Sequence, residues 1–334
     1  MGKYLRLADI PLHDPWIHAE KKDGAYYLYT SALPSDTGDE RYGVKAYTSR
    51  DLADWEGPHI VFLIPDGTWA NPAHGAWAPE VHAYRGRYYL FVTLHNRDRP
   101  IDQGSGDWGV GVTNGGAAYP PHMRGTQVFA SDSPAGPFAP ITGGADRPHT
   151  REDFMTLDGT LFVEDGVPWM VYCHEWIQLI DGTIEAVRLK PDLSASIGEP
   201  IHLFKASEAS WTATRGKVVQ KALIHVTDGP FLYLTKHGKL LMLWSGYRDG
   251  SYVQTMAFSE SGRLHGPWRQ SDPIVGDDSG HGMLFTSFGG RLMLVLHQPF
   301  GYPLSRAKLY DMEDTGDAVR VLRAREDLHG PAAV

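Results

Sequence analysis

The sequence predicts an all-β fold: a five-bladed β-propeller whose four-stranded antiparallel blades surround a central channel. Three observations predict it. A short unit, a glycine turn followed by a compact apolar and aromatic run, recurs five times in 334 residues. No interval carries sustained helical periodicity. Turn formers and β-formers are abundant, with 37 Gly, 23 Pro, 10 Trp and 16 Tyr.

The repeats start at Gly24, Gly86, Gly166, Gly238 and Gly290, with intervals of 62, 80, 72 and 52 residues. Each glycine opens a run of strand length, such as Tyr26 to Ser31, Tyr88 to Thr93 and Leu240 to Ser245. The intervals suit one four-stranded blade with loops of unequal length. Third strands lead into Gly-Pro corners at Gly57-Pro58, Gly136-Pro137 and Gly266-Pro267. An irregular pair of β-sandwiches is the alternative, but the strand sets recur in one fixed order. Residues 1–334 are read as a single propeller domain, and the Gly-rich stretch 101–123 as a functional loop within it.

Apolar residues make up 42% and charged residues 21%, as in an ordinary globular protein. A formal net charge of −9 and the absence of a basic stripe argue against a nucleic-acid partner. No apolar run approaches the roughly 18 residues of a membrane span, so no membrane partner is expected. Met1 to Leu7 lacks the apolar core of a signal peptide. A cytoplasmic location is expected, or a secreted or periplasmic one if a leader has been removed. Cys173, the single cysteine, lies in a strand run and reads as a buried packing residue. Oligomeric state has no signature.

Upstream of each run sits another short strand that carries polar residues: Asp14, Glu80, Asp158, Asp228 and His281. In a propeller the first strand of each blade lines the channel, so a common register would direct all five into one space. Crowded, desolvated carboxyls have raised pKa values. A protonated carboxyl coexisting with an ionised one is what glycosidic bond cleavage requires. Taken singly, Asp before Pro or Gly also caps turns; an acid in four of five blades points beyond turn chemistry.

Sugar faces stack on aromatic rings, and hydroxyls need directional polar partners. Trp16 and Trp77 flank the carboxyls, and Phe231 follows Asp228. His95, Glu175, Trp176 and Tyr247 lie just after the second strands, where loops reach a pocket rim. Arg215 is a further candidate for a sugar hydroxyl, whereas Tyr27, Tyr89 and Trp244 read as core.

The fragments Asp14-Pro15-Trp16-Ile17, Trp77-Ala78-Pro79-Glu80-Val81, Asp158-Gly159, Thr227-Asp228-Gly229-Pro230-Phe231-Leu232 and Gly280-His281-Gly282 occur in this order over nearly the whole chain. In this the sequence resembles glycoside hydrolase family 43. The resemblance implies an inverting hydrolase with Asp14 as general base and Asp158 orienting the acid. The family's proton donor is usually a Glu in the fourth blade, where this chain has Asp228. Asp places its carboxyl on the order of 1.5 Å further back. Two donors therefore stay open, Asp228 and Glu80.

The resemblance also implies an oligosaccharide or polysaccharide substrate. Exo-release of terminal α-L-arabinofuranose is favoured, with a β-D-xylosidase or galactose-directed exo-hydrolase as alternatives. His281 resembles a channel histidine that approaches a bound calcium (Ca2+) in relatives; the other reading is a hydrogen-bonded histidine with no metal. No organic cofactor is expected. A non-catalytic carbohydrate-binding propeller is the alternative of a different class, and it would not need the channel acids. Repeated Trp-Asp dipeptides of the WD type are missing, and His13 rather than Asn before Asp14 argues against fructan hydrolases.

Overall fold

The structure, a computed structural model, describes residues 4–101, 121–144, 146–213, 217–219 and 222–330. Five sheets of four antiparallel strands, each in meander order, form the ring. Blade 1 holds β1 (Trp16–Glu20), β2 (Ala25–Ala32), β3 (Gly43–Ser49) and β4 (Glu56–Leu63). Blade 2 holds β5 (Ala76–Tyr84), β6 (Arg87–Pro100), β7 (His122–Ser131) and β8 (Ala139–Pro140). Blade 3 holds β9 (Thr156–Glu164), β10 (Val167–His174), β11 (Thr183–Leu189) and β12 (Ser196–Lys205). A small hairpin, β13 (Lys217–Val219) and β14 (Ala222–Ile224), precedes blade 4. That blade holds β15 (Asp228–Leu234), β16 (Leu240–Arg248), β17 (Ser251–Ser259) and β18 (Trp268–Gln270). Blade 5 holds β19 (Gly280–Thr286), β20 (Leu292–Gln298), β21 (Arg306–Asp314) and β22 (Val319–Ala324). The predicted architecture is therefore the observed one.

The repeated glycine is explained by backbone conformation. Gly24, Gly86, Gly166, Gly238 and Gly290 all have φ between +60° and +81°. At Gly86 and Gly166 the preceding Arg85 and Asp165 are also left-handed, giving two-residue turns whose twist matches the flanking strands. The apolar runs then form the second strands and become the core between blades. Met170, Val171, Tyr172 and Cys173 are fully buried, as are Leu241 to Trp244. Each large aliphatic side chain so buried contributes about 1.5–3 kcal/mol. Tyr27, Tyr89 and Trp244 are core, as expected, and Cys173 is a buried free thiol.

The inner strands β1, β5, β9, β15 and β19 pack in sequence, and β19 meets β1. The N-terminal segment ties the closure. Leu12 N–H donates to the Ser305 carbonyl at 3.1 Å, and Arg306 Nε donates to the Ala8 carbonyl at 2.6 Å. No helix among the described residues is long and apolar enough to cross a membrane.

Candidate active site

One backbone feature repeats at the start of all five inner strands. Asp14, Ala78, Asp158, Gly229 and His281 have φ of +49°, +43°, +57°, +52° and +54°. Such a residue is an inserted bulge position. In blade 2, Trp77 pairs with Thr93 and Glu80 with Phe91, so three steps on β5 oppose two on β6. The same slip occurs from Leu157 to Thr160, Asp228 to Phe231 and Gly280 to Met283.

This corrects the expected common register. Only Asp14, Asp158 and His281 share the left-handed position. Asp228 stands one residue earlier, the equivalent of Trp77, and Glu80 two residues later, the equivalent of Trp16, Phe231 and Met283. The bulge breaks the two-residue alternation of the strand, so adjacent residues fall on different levels of the channel. Glu80, Trp16, Phe231 and Met283 line the same narrow cavity, bordered by Asp14, Gly229 and His281. Glu80 is buried and paired with His82 at 2.8 Å.

Hydrogen bonds between neighbouring blades hold four of the five bulges. The Asp158 amide donates to Thr93 Oγ1 at 2.9 Å, and the His281 amide to Ser245 Oγ at 2.8 Å. The Gly229 amide donates to Asp158 Oδ2 at 3.0 Å. Across the closure, Nδ1 of His297 lies 3.2 Å from the Asp14 amide nitrogen and 3.3 Å from Asp14 Oδ1. Sequence reasoning did not single out Thr93 and Ser245. The available signal was that Ser31, Thr93 and Ser245 close the glycine-started runs at one register.

The carboxyls are driven to opposite protonation states. Burial raises the pKa of Asp14, but His281, 3.1 Å away, together with His297 and His13, outweighs it and holds Asp14 well below the usual carboxylate range. Burial pushes Asp158 well above its ordinary value, with Asp228 and Asp14 adding to the rise against the pull of His281. Asp228 is pushed up to about 7 by burial and then by Glu175 and Asp14, while His281 and the Tyr252 hydroxyl, 3.0 Å from Oδ2, oppose. Burial lowers His281, yet Asp14, Asp158 and Asp228 raise it overall. His297 is lowered to about 4, chiefly by burial, and is neutral near pH 7.

The predicted sugar-contact residues divide. Trp77 is 38% exposed, the Arg124 guanidinium lies 4.8 Å from the centroid of its ring, and His95 meets that ring at 4.2 Å. Trp16 is buried, its Nε1 donating to the Val81 carbonyl at 2.9 Å, and Phe231 lies against it in the channel. Trp176 and Tyr247 are buried together in a small cluster with Tyr252. His95 and Glu175 are buried and both contact Arg124. Tyr252 and Arg124 were missed as site residues because each lies near the start of a third strand, whereas site candidates were read from the first strands and from the ends of the second. Arg215 and residues 102–120 of the expected functional loop lie outside the described residues.

The protein oxygens facing His281 are the carboxylates of Asp14 and Asp158, so a calcium ion there would take most of its ligands from water. His281 Nδ1 faces Asp14 Oδ1 and Asp158 Oδ2, at 3.1 and 3.7 Å. The channel beside it is lined by Glu80 as well as Trp16, Phe231 and Met283. No step is routed through a metal.

Glycosidic bond cleavage uses an ionised carboxylate with a protonated carboxyl, the pairing toward which Asp14 and Asp228 are biased here. The profile of glycosyl hydrolases family 43 matches residues 9–314. The chain belongs to that family and is a glycoside hydrolase. It is similar to the structure of an endo-arabinase from Bacteroides thetaiotaomicron VPI-5482, at 33% identity and a TM-score of 0.76, over 98% of this chain and 99% of that one. The structure of a thermostable family-43 glycoside hydrolase is 22% identical, with a TM-score of 0.72 over 96% and 95% of the two chains, and shows the fold. Among curated proteins, the extracellular endo-α-(1→5)-L-arabinanase 1 of Bacillus subtilis (strain 168) is 29% identical over 87 residues. That stretch spans 25% of each protein.

Proposed function

We propose that the protein hydrolyses α-L-arabinofuranosyl linkages with inversion at the anomeric carbon. The observation that carries this reading is the convergence of Asp14, Asp158 and the Asp228-Gly229 backbone around His281. There burial and the neighbouring charges together bias Asp14 toward the ionised form and Asp228 toward the protonated one. Asp14 takes a proton from a water as its oxygen bonds to the anomeric carbon. The glycosidic C–O bond breaks, and Asp228 gives its proton to the departing oxygen. Asp158 accepts the Gly229 amide and so fixes the backbone beside Asp228. Solvent then returns both carboxyls to their starting states. Trp77 supplies a face for a sugar ring.

Arabinose is favoured by the likeness to the Bacteroides endo-arabinase over nearly the full chain. End-wise release of arabinofuranose is the first reading. Internal cleavage of an arabinan is the second, favoured by the names of that structure and of the Bacillus arabinanase. Wild type and Asp14→Asn are assayed on 4-nitrophenyl α-L-arabinofuranoside, 4-nitrophenyl β-D-xyloside and linear α-1,5-arabinan. Arabinose as the sole early product supports end-wise attack, and a ladder of oligosaccharides supports internal cleavage. NMR of the first-formed anomer is expected to show inversion. Retention, or an Asp14→Asn enzyme with most of its activity, would overturn the mechanism.

A further inference from the structure

Residues 299–305 join β20 to β21 at the end of the ring where the inner strands begin, so they border the mouth of the site. Hydrogen bonds fasten this turn along its length. The Phe300 amide donates to Asp278 Oδ2 at 3.0 Å, and Gln298 Nε2 donates to the Asp277 carbonyl at 2.9 Å. The Leu304 and Ser305 amides both donate to the Gly301 carbonyl at 3.0 Å, and Arg306 Nη1 to the Pro303 carbonyl at 2.7 Å. His13 Nε2 pairs with the Phe300 carbonyl oxygen, and the Phe300 ring lies against Tyr252 at 4.8 Å.

Two large apolar side chains of the same turn stay outside. Tyr302 is 52% exposed and Leu304 71%, the highest value for a large apolar side chain among the described residues. Single exposed apolar residues are common on protein surfaces, and it is position that distinguishes these two. Apart from Trp77, the other exposed large apolar side chains described lie within strands or at the opposite end of the ring. The Tyr302 ring meets that of His13 at right angles, with 6.2 Å between centroids. His13 stacks on His297 at 4.6 Å, and His297 Nδ1 lies 3.3 Å from Asp14 Oδ1. Blade 1, with Asp14, stands between blade 5, with Tyr302, and blade 2, with Trp77. A chain crossing the mouth over Asp14 meets an exposed aromatic on either side.

We propose that Tyr302, with Leu304, is a platform that holds a second arabinofuranosyl unit of the substrate chain on the Asp14 side of the mouth. This rests on the reading of the site as one for α-L-arabinofuranosyl linkages. A tyrosine ring offers an apolar face to the C–H groups of a sugar and a hydroxyl to its polar edge. A 1,5-linked arabinan suits this turn because every linkage carries a methylene, C5, which Leu304 can cover without desolvating a hydroxyl. The leaving oxygen takes its proton from Asp228, and the water held by Asp14 attacks from the opposite face. Tyr302 stands on the Asp14 side, so the unit it holds belongs to the part of the chain that does not depart. Grip on that unit favours a chain over its terminal sugar alone, which is the specificity that internal cleavage uses.

The test compares wild type with Tyr302→Ala on α-1,5-arabinotetraose and on 4-nitrophenyl α-L-arabinofuranoside, which has one sugar only. Calorimetry in the Asp14→Asn background gives the Kd of the tetraose with and without the tyrosine. Tyr302→Ala is expected to lower kcat/KM on the tetraose, and to raise its Kd, by about two- to twelvefold. The loss on the single-sugar glycoside is expected to be smaller. Tyr302→Phe restores the tetraose values, and Leu304→Ser weakens tetraose binding in the same direction. Leu234→Ala removes a side chain of similar exposure, 53%, at the far end of the ring and is expected to change neither substrate. An unchanged Kd for the tetraose, or an equal loss on the two substrates, overturns the proposal. If Tyr302→Ala abolishes self-association while the Kd stays unchanged, the turn is an interface between copies of the chain instead. The two readings fail separately. A wild type that neither binds nor cleaves any arabino-oligosaccharide removes the arabinan reading and this platform with it. A wild type that does both, with Tyr302→Ala its equal, removes the platform alone.

Discussion

The amide of Gly229 donates to Oδ2 of Asp158 at 3.0 Å, joining the third blade to the fourth one residue beyond Asp228. Gly229 has φ +52°, and a Cβ built there would lie 2.8 Å from Cγ of the His281 ring. His281 in turn approaches Asp14. One glycine thus lets the three polar groups of neighbouring blades meet.

Gly229→Ala is expected to lower both stability and turnover. The left-handed conformation alone costs an L-residue about 1–2 kcal/mol, and the ring contact adds to it. Displacing His281 also removes the opposite charge that keeps Asp14 ionised. Urea unfolding is expected to show a loss of about 2 kcal/mol or more. kcat is expected to fall further than the folded fraction does.

The activity profile follows from the two opposed carboxyls. Asp228 must be protonated to donate, so kcat/KM is expected to be lost as pH rises through about 7. Asp14 must be ionised to accept a proton, and its pKa lies well below the usual carboxylate range. The acid limb is therefore expected below the ordinary aspartate value of about 4. Initial rates from pH 3 to 9, with stability checked at each pH, measure the alkaline limb, and a limb with a midpoint of about 4 or above on the acid side would contradict the assignment of Asp14.

The blade count was legible because each turn glycine needs a positive φ and each second strand needs an unbroken apolar run. These are local demands that leave a mark on sequence. The site was legible in part. Asp14 and Asp158 precede Pro15 and Gly159, and that turn chemistry coincides with the bulge. The register of Glu80 and Asp228 was not, because a one-residue bulge changes level without changing composition. Arg124 and Tyr252 were invisible for another reason. Their importance comes from Glu175 and Asp228, partners 51 and 24 residues away in sequence.

Trp77 is an exposed aromatic, with Arg124 and His95 packed against its ring. It touches none of the proton-transfer groups in the proposed reaction. Trp77→Ala is expected to raise KM for an arabino-oligosaccharide while kcat changes little. An aromatic contact of about 0.5–1.5 kcal/mol corresponds to a two- to twelvefold rise. Steady-state kinetics on oligosaccharides of increasing length measure it, and a kcat effect of the same size would place Trp77 at the reacting sugar.

Acid stability has a separate origin in His149, which is buried away from the channel with Nε2 2.9 Å from the Leu193 carbonyl oxygen. Burial lowers its pKa from 6.5 to about 4. The unfolded chain therefore binds a proton between those values that the folded protein refuses. Stability is fully present above pH 6.5 and is lost as pH falls toward 4, by roughly 3 kcal/mol from this group. The raised pKa values of Asp158 and Asp228 act in the opposite sense, so the net curve mixes both. His149→Gln isolates the histidine, since the amide can still donate to Leu193 and does not titrate. Its stability relative to wild type is expected to improve steadily from pH 7 to pH 4.5. Denaturant titrations of the two proteins in parallel give that difference, and a pH-independent difference would mean that His149 has the same pKa in the folded and unfolded states.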